Sequence, residues 1–243
     1  MSKESGLGDQ LYLDSTDLSG TTGAISSIAA PFAQLTVTDI TQSAPHRLAG
    51  QLDGTIAFSS WWDNTVAHPK LSALPSADAY GTYFHRTTIG YPAASLVAKQ
   101  IGYDPNRGAD GSLAMATTLT ANGYGLEWGQ QLTAGKRSDT TATNGTSLDG
   151  GAATALGLVA YLHVFSFTGT SCTVTLQDSA DNSSFSAITG GAFTAATGTT
   201  KERIETATNG AVRRYVRIAT SGTFSQCTFA VNFIRRLSIP SSS

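Results

Sequence analysis

Residues Ala93 to Arg137 read AASLVAKQIGYDPNRGADGSLAMATTLTANGYGLEWGQQLTAGKR, and the fold class turns on how this stretch divides. Two Asn/Asp/Gly clusters, DPNRGADG and NGYG, separate three β-like runs. The turns are too short for a crossover helix, so the runs predict an antiparallel meander. In the second run Leu113, Met115, Thr117 and Leu119 alternate with Ser112, Ala114, Ala116, Thr118 and Thr120. In the third, Leu126, Trp128 and Leu132 alternate with Glu127, Gly129, Gln131 and Thr133. Period two implies one face in the core and a second that is small, hydroxylated and nearly uncharged.

Working outward, Leu11–Leu13 is a short strand followed by a Gly/Ser/Thr-rich loop. Further strands are expected over Pro31–Ile40 and Gln51–Trp62, where Leu52, Ile56, Phe58 and Trp62 share the apolar parity. Pro69–Leu74 is the one helix expected, with Pro69 suited to a first turn and Pro75 ending it. Tyr80–Thr88 is the strand leading into the meander. From Ser138 to Thr154 no apolar periodicity survives and turn formers are dense, as in a linker. Beyond it, Gly157–Phe167 is apolar on both faces, Cys172–Gln177 alternates, and strands over Ala211–Thr220 and Phe224–Ile234 complete a small all-β sandwich or jelly roll.

The chain has 243 residues, enough for one large β domain or two smaller ones. Its charged fraction of 13% is about half the usual share. Basic against acidic residues count 8 to 13 through Asp149 and 7 to 4 beyond it, so the first part is acidic. An acidic surface argues against a nucleic-acid grip, which needs Lys and Arg on the binding face. MSKESGLGDQ has no apolar h-region, so synthesis is expected to end in the cytoplasm. The longest apolar run, Ala152–Phe165, is too short to span a bilayer, and no membrane insertion is expected. Cys172 and Cys227 share parity with apolar neighbours and are expected as buried thiols, not a disulfide.

No constellation for catalysis, cofactor or metal binding emerges, and the chain is not expected to be an enzyme. His46, His68, His85 and His163 lack ligand spacing and are expected to be ordinary polar or half-buried histidines. Ser147 lies in turn-rich sequence rather than a strand-to-helix elbow. Gly123, Gly125 and Gly129 precede a strand pattern rather than a helix. Asp104, Asn106, Asp110 and Gly111, and also Asp178 and Asp181, read as turns because neither group ends in a bidentate Glu. Trp61, Trp62 and Asp63 could form a sugar platform beside a carboxylate, although Trp62 has core parity. Arg213, Arg214, Arg217, Arg235 and Arg236 form either a solvated face or a contact with another subunit.

Three segments together, LVAKQIGYDPNRGADGS, ANGYGLEWGQQLTAGKRSDTTATNG and HPKLSALPSAD, resemble major tail tube proteins of long-tailed, non-contractile phages, particularly those of actinobacterial phages. The resemblance spans about Gly8 to Gly150. It implies a mainly β fold: a tail-tube-type sandwich with a short flanking helix over residues 1–140, a linker at 141–155, and a smaller β-sandwich over 156–243 exposed on the tube exterior. It further implies homo-hexameric rings stacked into a tube for DNA ejection, assembled in the host cytoplasm and ending in the virion tail. Partners would be other copies, tape measure and tail terminator proteins, and DNA passing without specific binding. On this reading Ser112, Ala114, Thr118, Glu127, Gln131 and Thr133 face the lumen, while Asp14, Asp17, Trp61 and Asp63 contact the next ring. The C-terminal part would decorate the tail and could bind host-surface glycans. The alternative is a carbohydrate- or receptor-binding β-sandwich that forms no tube.

Overall fold

The computed structural model describes residues 3–237. The chain is mainly β, with antiparallel ladders and one short helix among the described residues. In order, the elements are β1 (Gln10–Leu13), β2 (Thr16–Asp17), β3 (Thr22–Ala29), β4 (Phe32–Thr36), β5 (Arg47–Leu52), β6 (Thr55–Trp61), α1 (Ala67–Leu71), β7 (Ala79–Phe84), β8 (Pro92–Gln100), β9 (Asp104–Arg107) and β10 (Leu113–Ala121). There follow β11 (Glu127–Gln131), β12 (Arg137–Asp139), β13 (Leu148–Asp149), β14 (Leu158–Ser179), β15 (Ser186–Ala192), β16 (Thr200–Glu205) and β17 (Tyr215–Arg235).

The chain forms two compact units that interleave along the sequence. One takes residues up to 19, 82–95 and 128 onward; the other takes 20–81 and 96–127. Residues 141–155, expected as a linker, lie within the first unit and run along β17. Gly145 N donates to Ile218 O (2.7 Å), Gly150 N to Arg214 O (3.0 Å), and Thr154 exchanges both backbone bonds with Val212.

The first unit is built on a ribbon of β14 and β17, paired antiparallel from Leu158 opposite Arg235 to Ser179 opposite Tyr215. Register shifts occur at Val164/Ser166 and on both sides of Gly169. Gly169 (φ 149°) and Gly222 (φ 115°) mark this bend, where a Cβ would overlap Phe224 Cα or the Ser171 carbonyl oxygen. Both halves of the ribbon contribute to one core: Leu158, Leu162, Val174, Leu176, Ile218, Phe229 and Phe233. The outer edge of β14 takes β16 along Val159–Val164 and β15 along Thr175–Asp178. The outer edge of β17 takes β11, β12 and β13. As the apolar runs predict, Leu158–Val164 is buried on both faces, whereas from Cys172 burial alternates.

On the opposite face of β14, His163 meets a second cluster containing Tyr12, Phe84, Ala93 and Ala230. His163 is fully buried (0% exposed), not half-buried, and belongs to a chain of hydrogen bonds. Asn232 Nδ2 can only donate, so it donates to Ser95 Oγ (2.8 Å). Ser95 then donates to Thr82 Oγ1 (2.7 Å), and Thr82 to His163 Nε2 (2.7 Å). His163 Nδ1–H donates to the Asp14 carbonyl (2.5 Å). The chain has one direction and one tautomer. Burial pushes the imidazole down to about 4, so it is neutral at physiological pH.

In the second unit β10 pairs with β6 along Ala114–Thr120, and β6 pairs with β3. The alternation read in β10 holds: Met115, Thr117 and Leu119 are buried and their neighbours are partly or fully exposed. They pack with Ile56 and Phe58 of β6, which are also buried. Gly81 lets Leu119, Leu96 and Ile56 close over the β7 backbone. The DPNRGADG turn is shorter than expected, because Asp104–Arg107 form β9 against Leu113–Ala116. Helix α1 begins two residues before the expected Pro69, because Asp63 Oδ1 accepts from Thr65 N (2.6 Å) and Val66 N (2.8 Å) and starts the first turn earlier.

The third run of the meander departs from expectation. β11 pairs with β17 and not with β10. Leu126 and Leu132 on either side of β11 are buried as expected, but within the strand the parity is inverted, with Trp128 exposed (48%) and Gln131 buried. Gly129 sits against the Phe233 carbonyl, where a Cβ would collide, and the Gln131 carboxamide donates to His85 O (2.7 Å). These backbone-level contacts override the side-chain pattern.

Candidate functional site

Two surfaces of the second unit stand out. The first is the hairpin of β4 and β5, with Phe32 opposite Leu52, Leu35 opposite Leu48 and Thr36 opposite Arg47. These two strands form a sheet of their own. Val37 N donates to His46 O (2.9 Å) and His46 N to Thr38 Oγ1 (2.9 Å), extending the pairing toward the tip. There Asp39 Oδ1 accepts from Thr41 Oγ1 (2.5 Å) and Thr41 N (2.8 Å), and these bonds hold its carboxyl below the usual range. The turn they fix holds Ile40 wholly in solvent (104% exposed). Phe32, Leu35, Val37, Leu48 and Leu52 are exposed as well.

A two-stranded hairpin alone is marginally stable in water, and scattered apolar exposure on monomers does not ordinarily concentrate on one such element. A hairpin with two free edges and six exposed large apolar side chains therefore has the chemistry of an assembly arm. Sequence parity places Leu52 in the core with Ile56, whereas it is exposed and belongs to this separate sheet. The signal available was TQSAPHRLAG, a turn-rich link flanked by two strand-like runs.

The second surface is the outward face of β3, β6 and β10. Ala116 lies opposite Ser59, Thr118 opposite Ala57 and Thr120 opposite Thr55. Ser59, Ala57 and Thr55 in turn lie opposite Ala24, Ser27 and Ala29. These nine residues are half-buried or exposed, uncharged and small. At the margin, Ala116 faces Asp104 of β9 and Thr120 faces Lys99 of β8. Lys99 is held by Asp78 at 2.8 Å.

The residues expected on a lumen face separate. Ser112, Ala114, Thr118 and Glu127 are half-buried, with side chains near a surface. Gln131 and Thr133 are 0% and 1% exposed, which corrects their assignment. Gln131 binds the His85 carbonyl, while Thr133 Oγ1 donates to Gly135 O (2.8 Å) and accepts from Val231 N (3.1 Å). Both are drawn inward by these backbone partners.

The residues expected at ring contacts are likewise dispersed. Asp14 occupies the tight turn between β1 and β2 at φ 54° and is nearly buried, with Lys201 Nζ 2.5 Å from its carboxylate. Asp17 is paired with Lys136. Trp61 is exposed at the end of β6, lying over Gly23. Asp63 caps the turn before α1, and the Thr65 and Val66 bonds hold its carboxyl below the usual range. No paired indole platform forms, because Trp62 stacks on His68 (4.2 Å) and donates to Asn64.

The C-terminal arginines are engaged within their own unit. Arg213 binds Asp178, Arg214 binds Asp149, and Arg235 donates to the carbonyls of Val212, Arg213 and Arg214. Arg217 stacks on Phe185 at 4.0 Å. A cleft of about 360 Å³ in the first unit is lined by Ile89, Leu132, Arg137, Asp139 and Asn144, but Arg137 is clamped on Asp139 through two 2.8 Å bonds. Among the described residues no group of three or more His, Cys, Asp or Glu is arranged to hold a metal ion.

No protein-family model matches the sequence. No curated protein matches it either. Among solved structures, the chain is similar to SPP1 Dit (gp 19.1), described as a paradigm of hub adsorption apparatus in phages infecting Gram-positive hosts, at 10% identity and a TM-score of 0.34 over 93% of this chain and 99% of that one. It is also similar to a chain of the phage p2 baseplate in its activated conformation with Sr, at 9% identity and a TM-score of 0.35 over 94% and 98%. A third likeness, to the phage P2 baseplate in its activated conformation with Ca, has 12% identity and a TM-score of 0.31 over 94% and 98%. At these scores the likenesses carry no functional argument.

Proposed function

We propose that this chain is a self-assembling structural protein of a phage tail, with copies closing into hexameric rings that stack into a tube for DNA. The observation that carries the reading is the β4–β5 hairpin. It exposes six large apolar residues and both strand edges, and a neighbouring copy that covers them removes apolar surface from water and supplies the missing backbone partners. The sequence resemblance supports the tail tube as the assembly.

The uncharged face of β3, β6 and β10 suits the wall of a conduit. A passing duplex carries a phosphate charge every few ångströms, and each Lys or Arg on the wall would add a contact to be broken. Ser112, Ala114 and Thr118 are assigned to this proposed wall, with Ala24, Ser27, Ala29, Thr55, Ala57 and Ser59 added, whereas Glu127, charged and on β11, lies outside it. The first 149 residues, with 13 acidic and 8 basic side chains, discourage adhesion further.

Negative-stain microscopy and light scattering on the purified chain test the reading. Rings or tubes that vanish when residues 32–52 are replaced by a short Gly-Ser link are the expected result. A wild-type chain that stays monomeric at high concentration would sink it.

A further inference from the structure

The chain contains three Asn-Gly dipeptides, at residues 122–123, 144–145 and 209–210. An Asn followed by Gly is chemically vulnerable, because no Cβ on the next residue keeps its backbone nitrogen away from the carboxamide carbon. Whether that nitrogen reacts depends on where its hydrogen is bonded. Gly145 N donates to Ile218 O at 2.7 Å, in a segment bridged to β17 by Asn144 opposite Ala219. Gly210 N donates to Ala207 O at 2.9 Å and closes its turn. Gly123 N has no acceptor among the described residues. It lies in an exposed bend after β10, at φ 80°, with nothing within 4 Å of where a Cβ would stand. This left-handed backbone calls for glycine, so the turn geometry itself installs the vulnerable sequence. Asn122 is exposed too; its own N–H donates to Val97 O (2.8 Å) and its carboxamide Nδ2 to Asp78 Oδ1 (2.8 Å). The Asp78 bond lies in water, which replaces it at little net cost.

We propose that Asn122 is a site of spontaneous deamidation, converting to aspartate and isoaspartate through a succinimide closed by Gly123. The Gly123 nitrogen, deprotonated by hydroxide, attacks Cγ of Asn122. The Gly123 N–Cγ bond forms, the Cγ–Nδ2 bond breaks, and the leaving nitrogen takes a proton from water and departs as ammonia. Water then opens the ring. Addition at Cγ gives aspartate; addition at the main-chain carbonyl of residue 122 gives isoaspartate, whose backbone runs through the side-chain carbons. Overall one water is consumed and one ammonia released, with no oxidation or reduction. The product sets a carboxylate where Nδ2 had donated to Asp78, so two anions face each other beside Lys99, whose Nζ lies 2.8 Å from Asp78. Isoaspartate also adds a methylene to the main chain of a turn whose Gly125 packs against Leu52 of β5. Conversion therefore disturbs the end of β10 and its contact with the β4–β5 arm. The inference is independent of the tail-tube reading.

The test is to incubate the full-length folded protein at pH 8.5 and 37 °C, withdraw samples over days, digest them at acid pH and map the peptides by mass spectrometry, with fragmentation to separate aspartate from isoaspartate. Peptides containing residue 122 should become heavier by the difference between OH and NH2 at least about tenfold faster than those containing Asn144 or Asn209, whose glycine N–H groups must first be released. In urea, where no such bonds survive, the three rates should converge to within a few-fold. Asn122 converting no faster than Asn144 or Asn209 in the folded chain would overturn the proposal. So would a preference that persists unchanged in urea, because local sequence and not the fold would then be its cause. Asn122→Gln should remove most of the early mass gain of the intact chain, and since the wild-type rates decide the outcome, a variant that fails to fold leaves the test intact.

Discussion

His163 makes acid stability a direct readout of the buried hydrogen-bond chain. Its Nδ1–H is committed to the Asp14 carbonyl and its Nε2 accepts from Thr82, so a second proton on the ring would face a donor. Burial is the main cause of the lowered value, with the Asp14 carbonyl and carboxylate opposing it and Lys201 reinforcing it. The unfolded chain takes up a proton near the ordinary value of 6.5, whereas the folded one waits until about 4. Above 6.5 both states are neutral and the residue adds no pH dependence. Between those two values the unfolded state alone binds the proton, and stability falls by about 1.4 kcal/mol per pH unit. Urea unfolding at pH 7.5 and pH 4.5 should therefore differ by about 2–3 kcal/mol from this group alone. His163→Phe keeps the ring volume and removes the titration, while orphaning the Asp14 carbonyl at a cost of about 1–3 kcal/mol at every pH. Carboxylate effects are common to both proteins. The expected result is a variant less stable at pH 7.5 but less sensitive to acid, so the gap narrows or reverses by pH 4.5. Parallel pH profiles for wild type and variant would refute the argument.

Three further outcomes follow from packing and exposure. Ile40→Asp combined with Leu48→Asp should abolish higher assemblies in light scattering while moving the thermal midpoint by no more than about 2 °C, because both side chains already face water. Gly222→Ala should cost about 3 kcal/mol or more in urea unfolding, since φ is 115° and the new methyl meets the Ser171 carbonyl; a loss under about 1 kcal/mol would mean that the ribbon bend relaxes easily. Asp139→Ala leaves the Arg137 guanidinium without its bidentate partner and leaves the Thr220 hydroxyl only the longer bond to the Thr143 carbonyl (3.3 Å), and unfolding should register a loss of about 3–5 kcal/mol.

What could be read from the sequence was what side chains announce by periodicity. The alternation in β10 and in the outer half of β14, the doubly apolar inner half of β14 and the burial of both cysteines all follow from parity with apolar neighbours. What could not be read is carried by backbone. Residues 141–155 have no periodic side chains because main-chain bonds from Gly145, Gly150 and Thr154 tether them to the first unit. β11 inverts its expected faces because Gly129 admits the Phe233 carbonyl and Gln131 finds an internal acceptor. His163 looked ordinary because its partners, Thr82, Ser95, Asn232 and the Asp14 carbonyl, are scattered over more than two hundred positions. Of the surfaces, the bland face was visible in β10 but not its continuation through β3, and the apolar arm was hidden because its leucines resemble core residues.

The arrangement around β17 also governs time. β11, β12, β13 and β14 all pair with Tyr215–Arg235, a segment made after every one of them. A ribosome adding residues one by one therefore releases each of these strands without its β17 partner, and the ladders to β17 cannot close fully until Arg235 has cleared the exit tunnel. The other unit, confined to residues 20–127, suffers no such delay. Long-range pairing of this kind is slow and leaves apolar strands open to wrong neighbours. Crowded translation on one message would thus put the nascent chain at risk, and yield should rise when synthesis is slowed or a holding chaperone is abundant.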